Sequence, residues 1–309
     1  MSSGSNTPMK DDLNDGQLLQ MHTAKLGPVP ISWQFSPHGG YTGVVRWAIV
    51  TIGMLVTSLL MLLAVGPMQS LRGVPGPTVE MAINPLMAGL VLLVLMLASL
   101  VVACLVGRLI NALVGLFVLG WGIMVLDMQC GTIEDLVFAD GSLLPLVLEG
   151  LVWSVVVLFM AVAVFWVSGP LPDSPEEDPR NAIRLSEIFS ADALKSALAG
   201  LLMLVAVWFL LWNDLKGQAI GVVIVGGIAT GVCGRLLSPK VQPILLFAAP
   251  MIAGTLGYAV GMTMQNKPLE EMFLQGNLPA LVHPMPLDYI VGSLCGVAMG
   301  IGWGRAPSA

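Results

Sequence analysis

The sequence predicts an all-α polytopic membrane protein of eight transmembrane helices. They form two parallel four-helix repeats related by a pseudo-two-fold axis along the membrane normal. Three observations carry this expectation. Hydrophobic residues make up 56% of the chain and charged residues 10%, against about 25% charged in a soluble domain, so there is too little polar surface to face water. The apolar residues run in long unbroken stretches, unlike the short alternating segments of a β-barrel. Finally, one stretch occurs twice. Met128-Gln129-Cys130-Gly131-Thr132-Ile133-Glu134-Asp135-Leu136 is echoed by Met264-Gln265-Asn266-Lys267-Pro268-Leu269-Glu270-Glu271-Met272. Gly141-Ser142-Leu143-Leu144-Pro145 is then echoed by Gly276-Asn277-Leu278-Pro279.

Residues 1–43 are rich in Ser, Asn, Asp, Gly and Pro and read as a cytoplasmic, largely disordered segment. No basic region leads into an apolar core there, so no cleaved signal peptide is expected. Trp33 and Phe35 suit the headgroup layer; His22 and His38 stand alone and read as solvated. A span needs about 20 apolar residues to cross about 30 Å of hydrocarbon. The first repeat, 44–168, offers four, at 44–65, 86–106, 109–126 and 143–167. A linker, 169–190, is too rich in Pro and acid to be helical or buried, and Ser190 is placed to cap the helix that follows. The second repeat, 191–304, offers spans at 193–212, 217–237, 244–263 and 287–303, before a short cytoplasmic tail, 305–309.

With the N-terminus inside, the cytoplasmic segments carry ten Lys and Arg residues and the outer segments only three, Arg72, Lys216 and Lys267. Both termini are therefore expected in the cytoplasm, in a cell (inner) membrane, with an acidic outer face. Each copy of the repeated motif then falls outside, between the third and fourth spans of its half. A second echo, Gly107-Arg108-Leu109-Ile110 and Gly234-Arg235-Leu236-Leu237, falls inside, between the second and third. Four spans per half keep both halves the same way up, as parallel repeats are.

The outer motif supplies the candidate polar or cation site: Gln129, Glu134 and Asp135 in one half, Gln265, Glu270 and Glu271 in the other. Carboxylates near one axis suit a hard cation; the plainer reading is that they solvate amphipathic connectors. Arg108 and Arg235 are candidate contacts for lipid headgroup phosphate or an anion at the inner face, or else snorkelling anchors. Gly292, Gly296, Gly300 and Gly304 recur every fourth residue, with Gly257 and Gly261 on the preceding span, and suit close helix packing or an oligomer interface.

Every Asp, Glu, Lys and Arg reads as lying at or near a span end. No catalytic pair, metal-ligand spacing, phosphate-binding loop or dinucleotide motif is present, and the four cysteines have no ligand spacing. The chain is therefore expected not to be an enzyme and to hold no metal or cofactor. A net charge of −6 without a basic cluster does not suggest nucleic acid as a partner, and none is expected. The expected partners are the lipid bilayer and a second copy or membrane subunit. Two functions fit: a transporter or permease with an acidic extracytoplasmic vestibule, or a non-catalytic membrane subunit or scaffold associating through its glycine faces.

Overall fold

The computed structural model describes residues 43–139, 141–171 and 188–304. The expected disordered segment with Trp33, Phe35, His22 and His38, most of the acidic linker, and the 305–309 tail lie outside the described residues. In chain order the helices are α1 (Gly43–Leu62), α2 (Pro85–Leu109), α3 (Ala112–Asp127), short α4 (Ile133–Val137) and α5 (Leu143–Ser168). After the linker come α6 (Ala191–Leu210), α7 (Lys216–Leu237), α8 (Ile244–Met264), short α9 (Leu269–Leu274) and α10 (286–303).

Six helices, α1, α2, α5, α6, α7 and α8, are long and apolar enough to cross a bilayer, which makes this an integral multi-pass membrane protein in contact with lipid. The expected third and eighth spans differ. α3 has 16 residues, a rise of about 24 Å. α10 is divided into Pro286–Val291, a π-helical turn Gly292–Gly296, and Val297–Trp303. The physical reason is enclosure. In α3, 11 of the 16 residues are buried, and residues 286–298 of α10 are all buried. Bilayer thickness dictates the length and regularity of a helix that lipid touches, whereas a helix wrapped in protein is released from both.

Local sequence sets the helix starts. Asn84 accepts a hydrogen bond from the Met87 N–H and precedes Pro85 at the first helical position. Asn111 accepts from the Val114 N–H, so only Ile110 and Asn111 separate α2 from α3. Ser190 accepts from the Ala193 N–H, as its cap position required. α6 tightens into a 3₁₀ turn at Leu198–Leu201, beside the Pro250 stretch of α8; a methyl group on Gly200 would lie 2.7 Å from the Ala249 Cβ.

In the first set α1 and α2 pack against α3, where Thr57 donates to the Val118 carbonyl at 3.1 Å, and α5 lies against α2. In the second set α7 lies against α6 and α10. The two sets meet along α5–α8 and α3–α10. Both junctions have tight apolar stretches: Phe165 and Phe247 have ring centroids 6.1 Å apart, and a methyl group on Gly120 would lie 2.7 Å from the Leu294 Cβ. α8 buries 78% of its most apolar stretch and α1 only 17%, which places α8 at the centre and α1 at the rim.

Hydrogen bonds between helix ends define two opposite faces. On the arginine face, Arg108 donates to the Val167 carbonyl and Ser238 to the Asp192 carbonyl. On the loop-rich face, the 63–84 segment folds back through isolated antiparallel bridges, Gln69 with Pro75 and Ser70 with Ala82. Gly73 turns it at φ +79°, a conformation that favours glycine.

Candidate functional site

The repeated motif forms α4 and α9 on the loop-rich face. These short helices touch, and Phe138 meets Phe273 edge to face at 5.8 Å between centroids. Their polar residues go to local partners. Asp135 accepts the Thr132 N–H at 3.2 Å and pairs with Arg72 at 3.6 Å; Arg72 also donates to the Phe138 carbonyl at 2.6 Å. Glu271 pairs with Lys267 and accepts from Gln275. Gln129, Glu134, Gln265 and Glu270 are exposed. Among the described residues no group of three or more His, Cys, Asp or Glu side chains is placed to hold a metal ion. The two motif helices therefore come together, but as an apolar junction with solvated acids around it.

The two arginines differ. Arg108 is exposed and donates to the Val167 carbonyl at 3.2 Å. Arg235 is 4% exposed and donates to the Val241 carbonyl at 2.9 Å, so its guanidinium fastens the α7–α8 connection inside the protein instead of reaching for headgroups.

The glycines divide in the same way. Gly257 meets Leu204, and Gly261 meets Val282, through side chains. Gly292, Gly296 and Gly300 face α7 backbone to backbone: a methyl group would lie 2.5 Å from the Val223 carbonyl at Gly292, 2.6 Å from the Ile224 carbonyl at Gly296, and against the Ile228 carbonyl at Gly300. Gly227 and Gly231 present the matching surface on α7, and Gly304 lies by Val232.

The concentration of buried charge is elsewhere, at the loop-rich ends of α3, α7 and α10. Lys216 Nζ lies 2.5 Å from Asp127 Oδ1 and 3.0 Å from Asp288 Oδ1. The side chains are 13%, 0% and 1% exposed respectively, so the ion pairs sit out of water. Asp288 Oδ2 accepts the Met285 N–H at 2.5 Å, which ties it to the start of its own helix. The two carboxyl groups converge on this one ammonium, each with an oxygen in contact with the same Nζ. Beyond the ammonium group, neither Asp127 oxygen has a hydrogen-bond donor among the described residues.

Around this triad stand two tyrosines in edge contact, 5.7 Å between ring centroids. Tyr258 donates to the Pro284 carbonyl at 2.5 Å and Tyr289 to the Leu281 carbonyl at 3.2 Å. Glu149 of α5 is nearby, accepting from the Trp153 indole N–H at 2.9 Å and the Val79 N–H at 3.3 Å. Cys130, in the loop after α3, is buried; burial first, and the Asp127 charge next, push its thiol up to about 12. It therefore remains an un-ionised thiol at physiological pH, and thiolate is the reactive form. A maleimide applied to the folded protein near pH 8 is expected to leave Cys130 unmodified and to label it only after unfolding, as intact-mass spectrometry reads directly.

Reading these charges as solvated span ends missed the triad. Asp127, Lys216 and Asp288 do lie at helix ends, but those ends are covered by protein. A signal was present. Lys216 opens a helix and Asp127 closes one, so each charge sits at the end of the helix dipole that repels it. Two such misplaced charges of opposite sign are the natural partners of each other.

Compared with known protein families, with curated proteins and with solved structures, the chain matches none. What the fold defines is its class, an integral multi-pass membrane protein.

Proposed function

We propose that this chain is a permease-type transporter of two four-helix halves, lying in a cell membrane with both termini in the cytoplasm and the loop-rich face outside. The observation that carries the reading is the buried triad. Ionisable groups placed within a membrane protein are costly, and are kept where ions, protons or solutes pass. This one joins α3 of the first half to α7 and α10 of the second. The neighbouring irregularities add support: the 3₁₀ turn of α6, Pro250 in α8 and the π turn of α10 are the kind of helix breaks that accompany transport sites. The acidic vestibule of the original expectation has less behind it than this enclosed site.

The repeat reading draws support from element order, since each half runs three helices, a short helix and a final helix. The junctions also exchange under a two-fold, α5 meeting α8 as α10 meets α3. A third echo aligns Leu148-Glu149-Gly150-Leu151-Val152-Trp153-Ser154 with Leu287-Asp288-Tyr289-Ile290-Val291-Gly292-Ser293. That alignment sets two carboxylates, Glu149 and Asp288, at equivalent places. The 63–84 segment has no counterpart of similar length in the second half.

The second reading, a non-catalytic membrane subunit or scaffold, is favoured by one observation: away from the triad, apolar side chains such as Phe165, Phe247 and Leu294 close the junctions between the halves. Reconstitution separates the two. The protein in liposomes on a solid-supported membrane is challenged in turn with amino acids, carboxylates, sugars and alkali cations. A transporter gives a transient current with one class, and Asp288→Asn abolishes it. Silence with every class, together with a stoichiometric membrane partner on gentle solubilisation, establishes the scaffold.

A further inference from the structure

We propose that Asp127, Lys216 and Asp288 form a binding site for one proton, held between the two carboxyl groups. The inference uses the same triad as the permease reading, but concerns what the triad holds, not what the protein moves.

The argument is one of charge balance. With both carboxylates ionised and the ammonium protonated, the cluster carries one net negative charge. The groups facing it from the packed elements are Cys130 after α3, Glu149 of α5, Tyr258 of α8 and Tyr289 of α10. Each of these is neutral or negative, so none of them, among the described residues, compensates. An uncompensated charge in a site of this burial is strongly disfavoured. Two carboxylates sharing one site, moreover, do not both ionise at ordinary cost. Their close approach becomes favourable once a proton from water converts one to a carboxylic acid that donates to the other. The product is a carboxylic acid, a carboxylate and an ammonium ion, with no net charge. The acid O–H then supplies the donor that Asp127 lacks. The proton belongs to the pair, not to either residue. Its route in is the loop-rich side, where the Lys216 side chain keeps 13% exposure and the two aspartates keep almost none.

The site predicts its own mutational signature. Replacing either aspartate by asparagine leaves one carboxylate and one ammonium, which are already neutral together, so the proton is no longer required.

Infrared spectroscopy of the full chain in lipid tests this directly. Surface aspartates, with ordinary values near 3.9, are ionised near neutral pH and contribute no carboxylic-acid carbonyl band. The folded protein is expected to show one such band from aspartic acid at neutral pH. It should shift when every aspartate carries ¹³C, which separates it from any glutamic acid such as Glu149. The band should vanish in Asp127→Asn and in Asp288→Asn and persist in Glu149→Gln. Absence of a ¹³C-sensitive acid band from the wild-type protein overturns the proposal, and this arm needs no variant to fold. Persistence of the band in both asparagine variants overturns it equally, by locating the proton elsewhere. No transport is measured, so a failure here leaves the permease reading to its own experiment.

Discussion

Lys216→Met is expected to be among the most damaging single substitutions in the protein, with a loss of about 3–5 kcal/mol, the usual cost of removing one partner from a buried ion pair. The methionine fills much of the same volume, so the loss is electrostatic. Asp127 and Asp288 would be left side by side without their counter-ion. Their exposures of 0% and 1% leave water little scope to replace it. The measurement is thermal unfolding of detergent-purified protein, followed by tryptophan fluorescence. A triple variant, Lys216→Met with Asp127→Asn and Asp288→Asn, is expected to recover most of the loss. Neutralising an entire buried cluster removes the desolvation cost along with the attraction. If the single variant unfolds with the wild type, the triad is hydrated in the membrane and its burial has been misread.

Gly296→Val is expected to be comparably harmful for an unrelated reason. A Cβ at this position would lie 2.6 Å from the Ile224 carbonyl oxygen and 2.8 Å from the Gly227 Cα. Both are backbone atoms of α7, so no side chain can rotate out of the way. α7 and α10 must separate to admit the new atoms. Overpacking of this sort costs about 1–3 kcal/mol, occasionally more, and in lipid the lost close approach was itself the attraction between helices. Gly221→Ala is the internal control, because a Cβ there meets nothing within 4 Å. It should leave the unfolding temperature unchanged or raise it slightly, as alanine suits a helix better than glycine. Equal behaviour of the two variants would show that the seam is looser than its geometry.

Much of the architecture was legible in the residues. The apolar runs located every long helix to within a few positions, and Ser190 marked a helix start by its hydroxyl. The glycine spacing pointed to a close-packed face, although spacing alone does not say which helix opposes it. What sequence periodicity could not show is which helix ends are covered. Asp127 and Asp288 look the same on paper as Glu134 and Glu270, since each borders an apolar run. Only the packing of α3 and α10 inside a ring of other helices separates the buried pair from the solvated one. The same enclosure explains why length was a poor guide for those two helices. Arg108 and Arg235 carry the point further: they occupy matching places in a sequence echo, yet one is exposed and the other lies under protein.

The glycine seam has a mechanical consequence. Where backbones touch, neither helix can roll without driving a side chain into the space that glycine keeps free, so the seam resists rotation of α7 against α10. Lys216 and Asp288 stand at the loop-rich end of that seam, and Asp127 faces them from α3. The seam therefore holds the ammonium and one of its two carboxylates in fixed register, while the other carboxylate reaches them from a separate helix.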